Sequence, residues 1–279
     1  MNTDVYPSFE ALPDRYRGLL AKAAADDFFL SAPWFANQVQ TTGGPGDALR
    51  IYAAETESGP AAILVLRALA AREGAFRLRT LSSCSSIYST FFGPILAPSD
   101  AAGAGLRAIA KRIGHERPRF DAVRIDSLDR DAAAFARLVQ GFREAGMLVQ
   151  PFFHFGNWYE DIERPSLDGY LKRRSSQQRY QIRHRSRKLM QSGRARFELV
   201  TGGPALEAGI ADYERVYASS WKVPEPYPLF TAGLVRVAAA AGVLRMGFLR
   251  VDGEPAAAQI WIVSGGHATI FKLVFVEKF

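Results

Sequence analysis

The sequence predicts an α/β fold built from two similar halves, and three observations carry that prediction. Strand-like and helix-like stretches alternate along the chain, which argues for layered α/β architecture over an all-β or all-α fold. A hairpin pattern recurs, as Glu57–Leu66 and again as Asp252–Val263: a turn containing Gly, then Pro-Ala-Ala, then an apolar strand. At 279 residues the chain is also long for one domain.

The elements follow in order. Leu49–Glu55 and Ala62–Leu69 read as strands joined by a turn at Thr56–Pro60. Arg72–Gly74 reads as a second turn and Phe76–Leu81 as a third strand. Helices are expected near Ala104–Ile113 and Asp131–Ala145, with the strand Ala122–Asp126 between them. A long basic helix is expected from Ser166, an N-cap residue after Pro165, to Gly193. Two more helices follow, Ala205–Ser219 (Leu206, Ile210, Tyr213 and Tyr217 on one face) and Leu229–Ala241, with the irregular stretch Trp221–Pro228 between them. Three strands close the chain, Leu244–Val251, Ala256–Val263 and Ala268–Val276. Asp252-Gly253 between the first two is a strong hairpin signal, because both residues tolerate positive φ.

Composition narrows the functional classes. Hydrophobic residues make up 48% and charged residues 23%, as in ordinary globular proteins. The longest apolar run, Ala61–Leu66, is far shorter than the roughly 20 residues of a membrane helix. The N-terminal residues lack the basic and apolar regions of a secretory signal, and Cys84 is the only cysteine, expected as a small buried hydrophobe. These features point to a cytoplasmic protein without membrane insertion.

The net charge of +7 is concentrated. Arg164–Arg196 holds eleven Lys or Arg and one acid, Asp168, while the rest of the chain has 24 bases and 27 acids. Lys172, Ser176, Arg179, Arg183 and Arg187 fall on one stripe of the expected helix. A solvated face, a phosphate-facing wall and a nucleic-acid surface are all consistent with that stripe.

Several strings of the second half resemble the FemAB-like branch of the GNAT acyltransferase superfamily, nearest to the acetyltransferase-like proteins of cellulose and exopolysaccharide synthesis. They are Tyr170–Leu189, Ser220–Lys222, Gly253–Trp261 and Phe271–Leu273. Phe28–Phe35 is similar to the start of the first half of such proteins. The resemblance implies tandem duplicated GNAT-like halves, each with mixed sheets flanked by helices. The expected division is 1–155, degenerate, and 156–279. It implies transfer of an acyl group, acetyl in the first instance, from acyl-CoA to a small-molecule or glycan-linked amine in polysaccharide or cell-envelope synthesis. No permanently bound cofactor and no metal site are expected; His154, His184 and His267 show no metal spacing.

The resemblance also implies a carrier-binding loop after the fourth strand. Here Ala268–Val276 would be that strand, and the second half is expected to be incomplete beyond it. Asp100–Gly105 in the first half fits the loop pattern except for its Asp, and reads better as the start of a helix.

The expected catalytic residues are Lys272, for oxyanion or phosphate charge, and Glu277, as proton acceptor. Lys172, Arg179, Arg183, Arg187, Trp221, Lys222 and Gln259 are the expected carrier- or acceptor-binding set. Two alternatives stand beside catalysis: a truncated, non-catalytic member that binds an anionic ligand or partner, and a tRNA- or nucleic-acid-binding protein acting through the basic helix.

Overall fold

A computed structural model describes residues 1–70, 78–162 and 166–278. The expected turn at Arg72–Gly74, the start of the strand at Phe76 and Pro165 lie outside these described residues.

The chain forms two compact units. Unit 1 comprises Met1–Phe155 together with Pro226–Ala238 and Ser264–His267. Unit 2 comprises Gly156–Glu225, Ala239–Val263 and Ala268–Phe279.

Unit 1 contains β1 (Asn2–Tyr6), α1 (Arg17–Asp26), α2 (Ala32–Thr42), β2 (Ala48–Thr56), β3 (Gly59–Leu69) and β4 (Thr80–Ser83). After these come β5 (Ile95–Leu96), α3 (Ala101–Gly114), β6 (Ala122–Arg124) and α4 (Ala133–Glu144). The sheet runs β1-β2-β3-β4-β6, with β5 paired to β3 off that path. It is mixed: β4 and β6 are parallel, and the other described ladders are antiparallel. Ala61 through Arg67 of β3 are buried without a break, as expected of a central strand covered on both faces.

Strand β1 and helices α1 and α2 are additions to the sequence reading. Helix α2 has clear local signals, since Ser31 caps it by accepting from the Trp34 N–H and Pro33 sits in its first turn. Trp34 and Phe35 from this helix are almost wholly buried.

The Asp100–Gly105 stretch is the start of a helix, and its glycines serve packing. A Cβ on Gly105 would lie 3.0 Å from the Cβ atoms of Ala61 and Ala62, so this glycine lets α3 approach β3. Gly141 of α4 does the same for the α3–α4 contact, where a Cβ would meet Ala110 at 3.2 Å. Cys84 is buried, and burial pushes its thiol up to about 12.

Unit 2 contains α5 (Leu167–Lys172), α6 (Ser176–Gln191), β7 (Ala195–Val200) and α7 (Leu206–Ala218). Helix α8 (Pro228–Ala240) follows, most of it counted in unit 1, and then β8 (Leu244–Val251), β9 (Glu254–Ser264) and β10 (His267–Phe275). The four-stranded sheet has the order β10-β9-β8-β7, with antiparallel ladders at β7–β8 and β8–β9. Met246, Phe248, Ala258, Ile260 and Ile262 point to one buried face, and Ile210, Tyr213 and Val216 of α7 are buried as well. Gly209 of α7 sits over Met246 and Val200. The opposite face carries Phe197 and Leu199, both more than half exposed.

The single basic helix expected from Ser166 to Gly193 is in fact two helices. Ser166 caps the first by accepting from Gly169 N–H, and Ser175 caps the second by accepting from Gln178 N–H. A serine at each start competes for the backbone and breaks the run at Arg173–Ser175. Lys172 therefore leaves the stripe, which is reduced to Ser176, Arg179, Arg183 and Arg187 on α6.

The repeated hairpin extends to its irregularities. In β2–β3, Thr56 pairs with Gly59, Glu55 with Pro60 and Ala54 with Ala62, so Ala61 is the extra residue of a bulge. In β8–β9, Val251 pairs with Glu254, Arg250 with Pro255 and Leu249 with Ala257, so Ala256 is the extra residue. In both, the proline falls two pairs from a two-residue turn, at the bulge that such residues tolerate. Asp252 and Gly253 both have positive φ, 51° and 84°, as the turn signal predicts.

Candidate active site

The end of α7 and the loop after it form a compact knot in unit 2. Ser220 Oγ donates to the Tyr217 carbonyl (2.8 Å), Lys222 N–H donates to Ser220 Oγ (3.3 Å), and Tyr217 OH donates to the Val223 carbonyl (2.8 Å). These bonds fix Trp221 and Lys222 in a segment without regular structure, stiffened by Pro224 and Pro226.

The knot grips β10, the edge strand of the sheet. The Trp221 ring lies 4.3 Å from that of Phe275, and Lys272 Nζ donates to Glu225 Oε1 at 2.6 Å. Lys272 and Phe275 are three residues apart on the strand, so they point to opposite faces and the loop holds the edge from both sides. Lys222 Nζ lies 5.7 Å from the Trp221 ring centroid. Five groups are thus brought together: Tyr217, Trp221, Lys222, Glu225 and Lys272.

The electrostatics of the cluster are unequal. Lys272 and Glu225 are both 15% exposed in their side chains, so their ion pair is poorly screened. Partial burial, and then the like charge of Lys272, lower the Lys222 pKa, with Glu225 acting in the opposite direction. Burial pushes the Tyr217 phenol up to about 12, helped by the nearby Glu225 carboxylate. Tyr217 therefore stays protonated at neutral pH while Lys222 gives up its proton more readily than a solvated lysine.

Of the residues expected from sequence, this cluster unites Trp221, Lys222 and Lys272. Gln259 lies on β9 opposite Gly247 and accepts a hydrogen bond from Trp261 Nε1 at 2.9 Å. Glu277 is exposed in the turn after β10. Lys172, Arg179, Arg183 and Arg187 form no part of the cluster's described contacts. Arg179 donates to the carbonyls of Lys172 (3.1 Å) and Arg174 (2.8 Å), and Arg183 donates to Asp168 (2.8 Å). Sequence reasoning missed Tyr217 as a polar group and missed Glu225 altogether. The available signal for Glu225 was a lone acid between two prolines, in a segment too rigid to be an idle loop.

A depression of about 470 Å³ beside the β8–β9 turn is lined by Arg194, Arg196, Arg250 and Asp252, among others. Its arginines are engaged: Arg194 with Asp252, Arg196 with Glu198 (3.7 Å), and Arg250 with Glu198 and Asp212 at 2.5 Å each. That leaves little positive potential there for a ligand. Among the described residues no group of three or more His, Cys, Asp or Glu is placed to hold a metal ion. No helix among them is long and apolar enough to cross a membrane.

Residues 176–279 match the family model described as an acetyltransferase (GNAT) domain. The match takes in α6, α7, the sheet of unit 2 and all five residues of the cluster. The match supports a GNAT-type domain over this region and an acyltransferase-type function, for which acyl-CoA is the usual co-substrate class. No curated protein matches the chain.

Proposed function

We propose that the protein is an N-acyltransferase that moves an acyl group, acetyl in the first instance, from acyl-CoA to an amine. The observation that carries this is that the Tyr217–Lys272 cluster lies within the region matching the acetyltransferase domain. An amine attacking a thioester needs alignment, a proton acceptor and positive charge near the developing oxyanion. Glu225 is suited to take the ammonium proton, because it is held in place by Lys272 while Glu277 is exposed. Lys222 and Lys272 supply the positive potential, and protonated Tyr217 is a proton donor for the departing thiolate. Trp221 is half exposed and offers a flat apolar wall to the acyl group or acceptor. Gln259 extends that surface on the neighbouring strand.

The resemblance to FemAB-like and polysaccharide-associated proteins supports a glycan-linked or cell-envelope amine as acceptor. The division of the chain into a degenerate half, 1–155, and an active half, 156–279, belongs to the same reading; the shared hairpin bulge supports the duplication behind it.

Calorimetry with acetyl-CoA, followed by thiol release in the presence of glucosamine and amino-acid esters, tests the proposal. Saturable binding and amine-dependent thiol release are expected, with Glu225→Gln lowering turnover about a hundredfold, as for a lost general base. Absence of both binding and thiol release at about 1 mM acetyl-CoA, the upper end of usual KM values, would overturn it.

A further inference from the structure

Helix α6 has a property that the acyl transfer proposed above does not use. Its sixteen residues include five bases and no acid, and none of them is buried. Helices in folded proteins ordinarily gain their stability from an apolar face packed on a core. Here Tyr180, Ile182 and Met190 are all exposed and Leu189 is half-buried. Arg179 and Arg183 are engaged within the unit, but among the described residues the side chains of Arg185, Arg187 and Lys188 have no ion pair or hydrogen bond. Arg187 continues the line of Arg179 and Arg183 down one side, and Lys188 and Arg185 project from other sides.

Aromatic rings stand beside these charges. Tyr180 and His184, one turn apart, are stacked with centroids 5.3 Å apart and planes 10° apart, and Tyr180 is 66% exposed. Trp158 and Tyr159 are almost fully exposed. The segment carrying them is tied to the region between α5 and α6 by the pairing of Glu160 with Arg173 and Arg174, and by an Arg173 bond to the Asp161 carbonyl at 2.8 Å.

We propose that this surface binds single-stranded nucleic acid without sequence preference. Guanidinium groups match phosphate oxygens, and exposed aromatic faces stack on unpaired bases. A duplex keeps its bases stacked on one another and offers these rings nothing. A membrane surface is a poorer fit, because a helix lying in it needs a broad apolar face. On α6 that face shrinks to Ile182 and Leu189, with cations on more than one side.

The test is fluorescence anisotropy of the full chain with an end-labelled 12-nucleotide oligo(U), between 50 and 200 mM salt. Contacts to three or four phosphates predict a slope of log K against log salt of about −2 to −3. Arg185→Gln/Arg187→Gln/Lys188→Gln together should weaken binding at least about tenfold and flatten the slope by about 2. Tyr180→Ala should lose about five- to a hundredfold with the slope unchanged, which separates stacking from charge. Thermal unfolding of both variants should match the parent, since no α6 side chain is buried. Equal affinity for a blunt duplex of the same length, parental binding by the triple variant, or sedimentation with phosphatidylglycerol vesicles without oligonucleotide binding would each overturn the proposal. These outcomes do not depend on acyl transfer, because the variants lie outside the Tyr217–Lys272 cluster.

Discussion

Breaking the Lys272–Glu225 pair tests whether the loop after α7 is held onto the edge strand by charge. At 2.6 Å and an effective dielectric of about 20, the attraction between two unit charges is roughly 6 kcal/mol before desolvation. Both side chains are only 15% exposed, so withdrawing them from water offsets most of that gain. A net coupling of about 2 kcal/mol is expected. Lys272→Met alone should cost about 3 kcal/mol, because it leaves a shielded carboxylate without its cation, and Glu225→Gln about 2 kcal/mol. The double variant should cost about 3 kcal/mol, well short of the two single losses combined. Urea unfolding followed by circular dichroism, across the four proteins of the cycle, measures this. A coupling below about 0.5 kcal/mol would refute the reasoning, since it would mean that water screens the pair. A second readout is local. Lys272→Met removes the like charge facing Lys222, so the depressed Lys222 pKa should rise. Mass spectrometry after brief acylation should then show Lys222 reacting only at higher pH than in the parent.

Further outcomes follow from the same contacts. Because the folded state lowers the Lys222 pKa from 10.5, it binds fewer protons there than the unfolded chain. Stability should therefore rise with pH between the lowered value and 10.5, and Lys222→Met should remove that rise in a series of unfolding curves. In unit 1, Glu116 is buried and accepts from Arg50 at 2.6 and 2.7 Å and from Tyr52 OH at 2.8 Å. Arg50→Met should cost about 3 kcal/mol and lower Tm by about 6–12 °C, and a change under about 2 °C in calorimetry would contradict the network. Gly105→Ala should cost about 1–3 kcal/mol by crowding Ala61 and Ala62 while leaving acetyl-CoA binding intact. Loss of that binding in a variant of parental Tm would instead make Asp100–Gly105 a carrier loop.

The sequence determined the elements whose signals are local. The strands from Leu244 to Phe275 and the hairpin turn at Asp252-Gly253 lie within a few residues of expectation, because side-chain alternation and turn chemistry act between near neighbours. The basic run was equally plain, though a serine cap in its middle divided it, and continuous helix-forming composition hides such a break. Strand β1 escaped because what fixes it is distant in sequence, its pairing with β2, whereas α2 was legible in the Ser31 cap and Pro33 and was overlooked. The candidate site divides along the same line. Trp221, Lys222 and Lys272 could be picked out as polar or aromatic residues in suggestive places. Only the tertiary structure joined Lys272 to Glu225, 47 residues away along the chain, and set the Tyr217 phenol beside that charged pair. Charge and hydropathy along a chain report what each residue prefers, whereas an ion pair shielded from water exists only once folding has brought both partners to one strand edge.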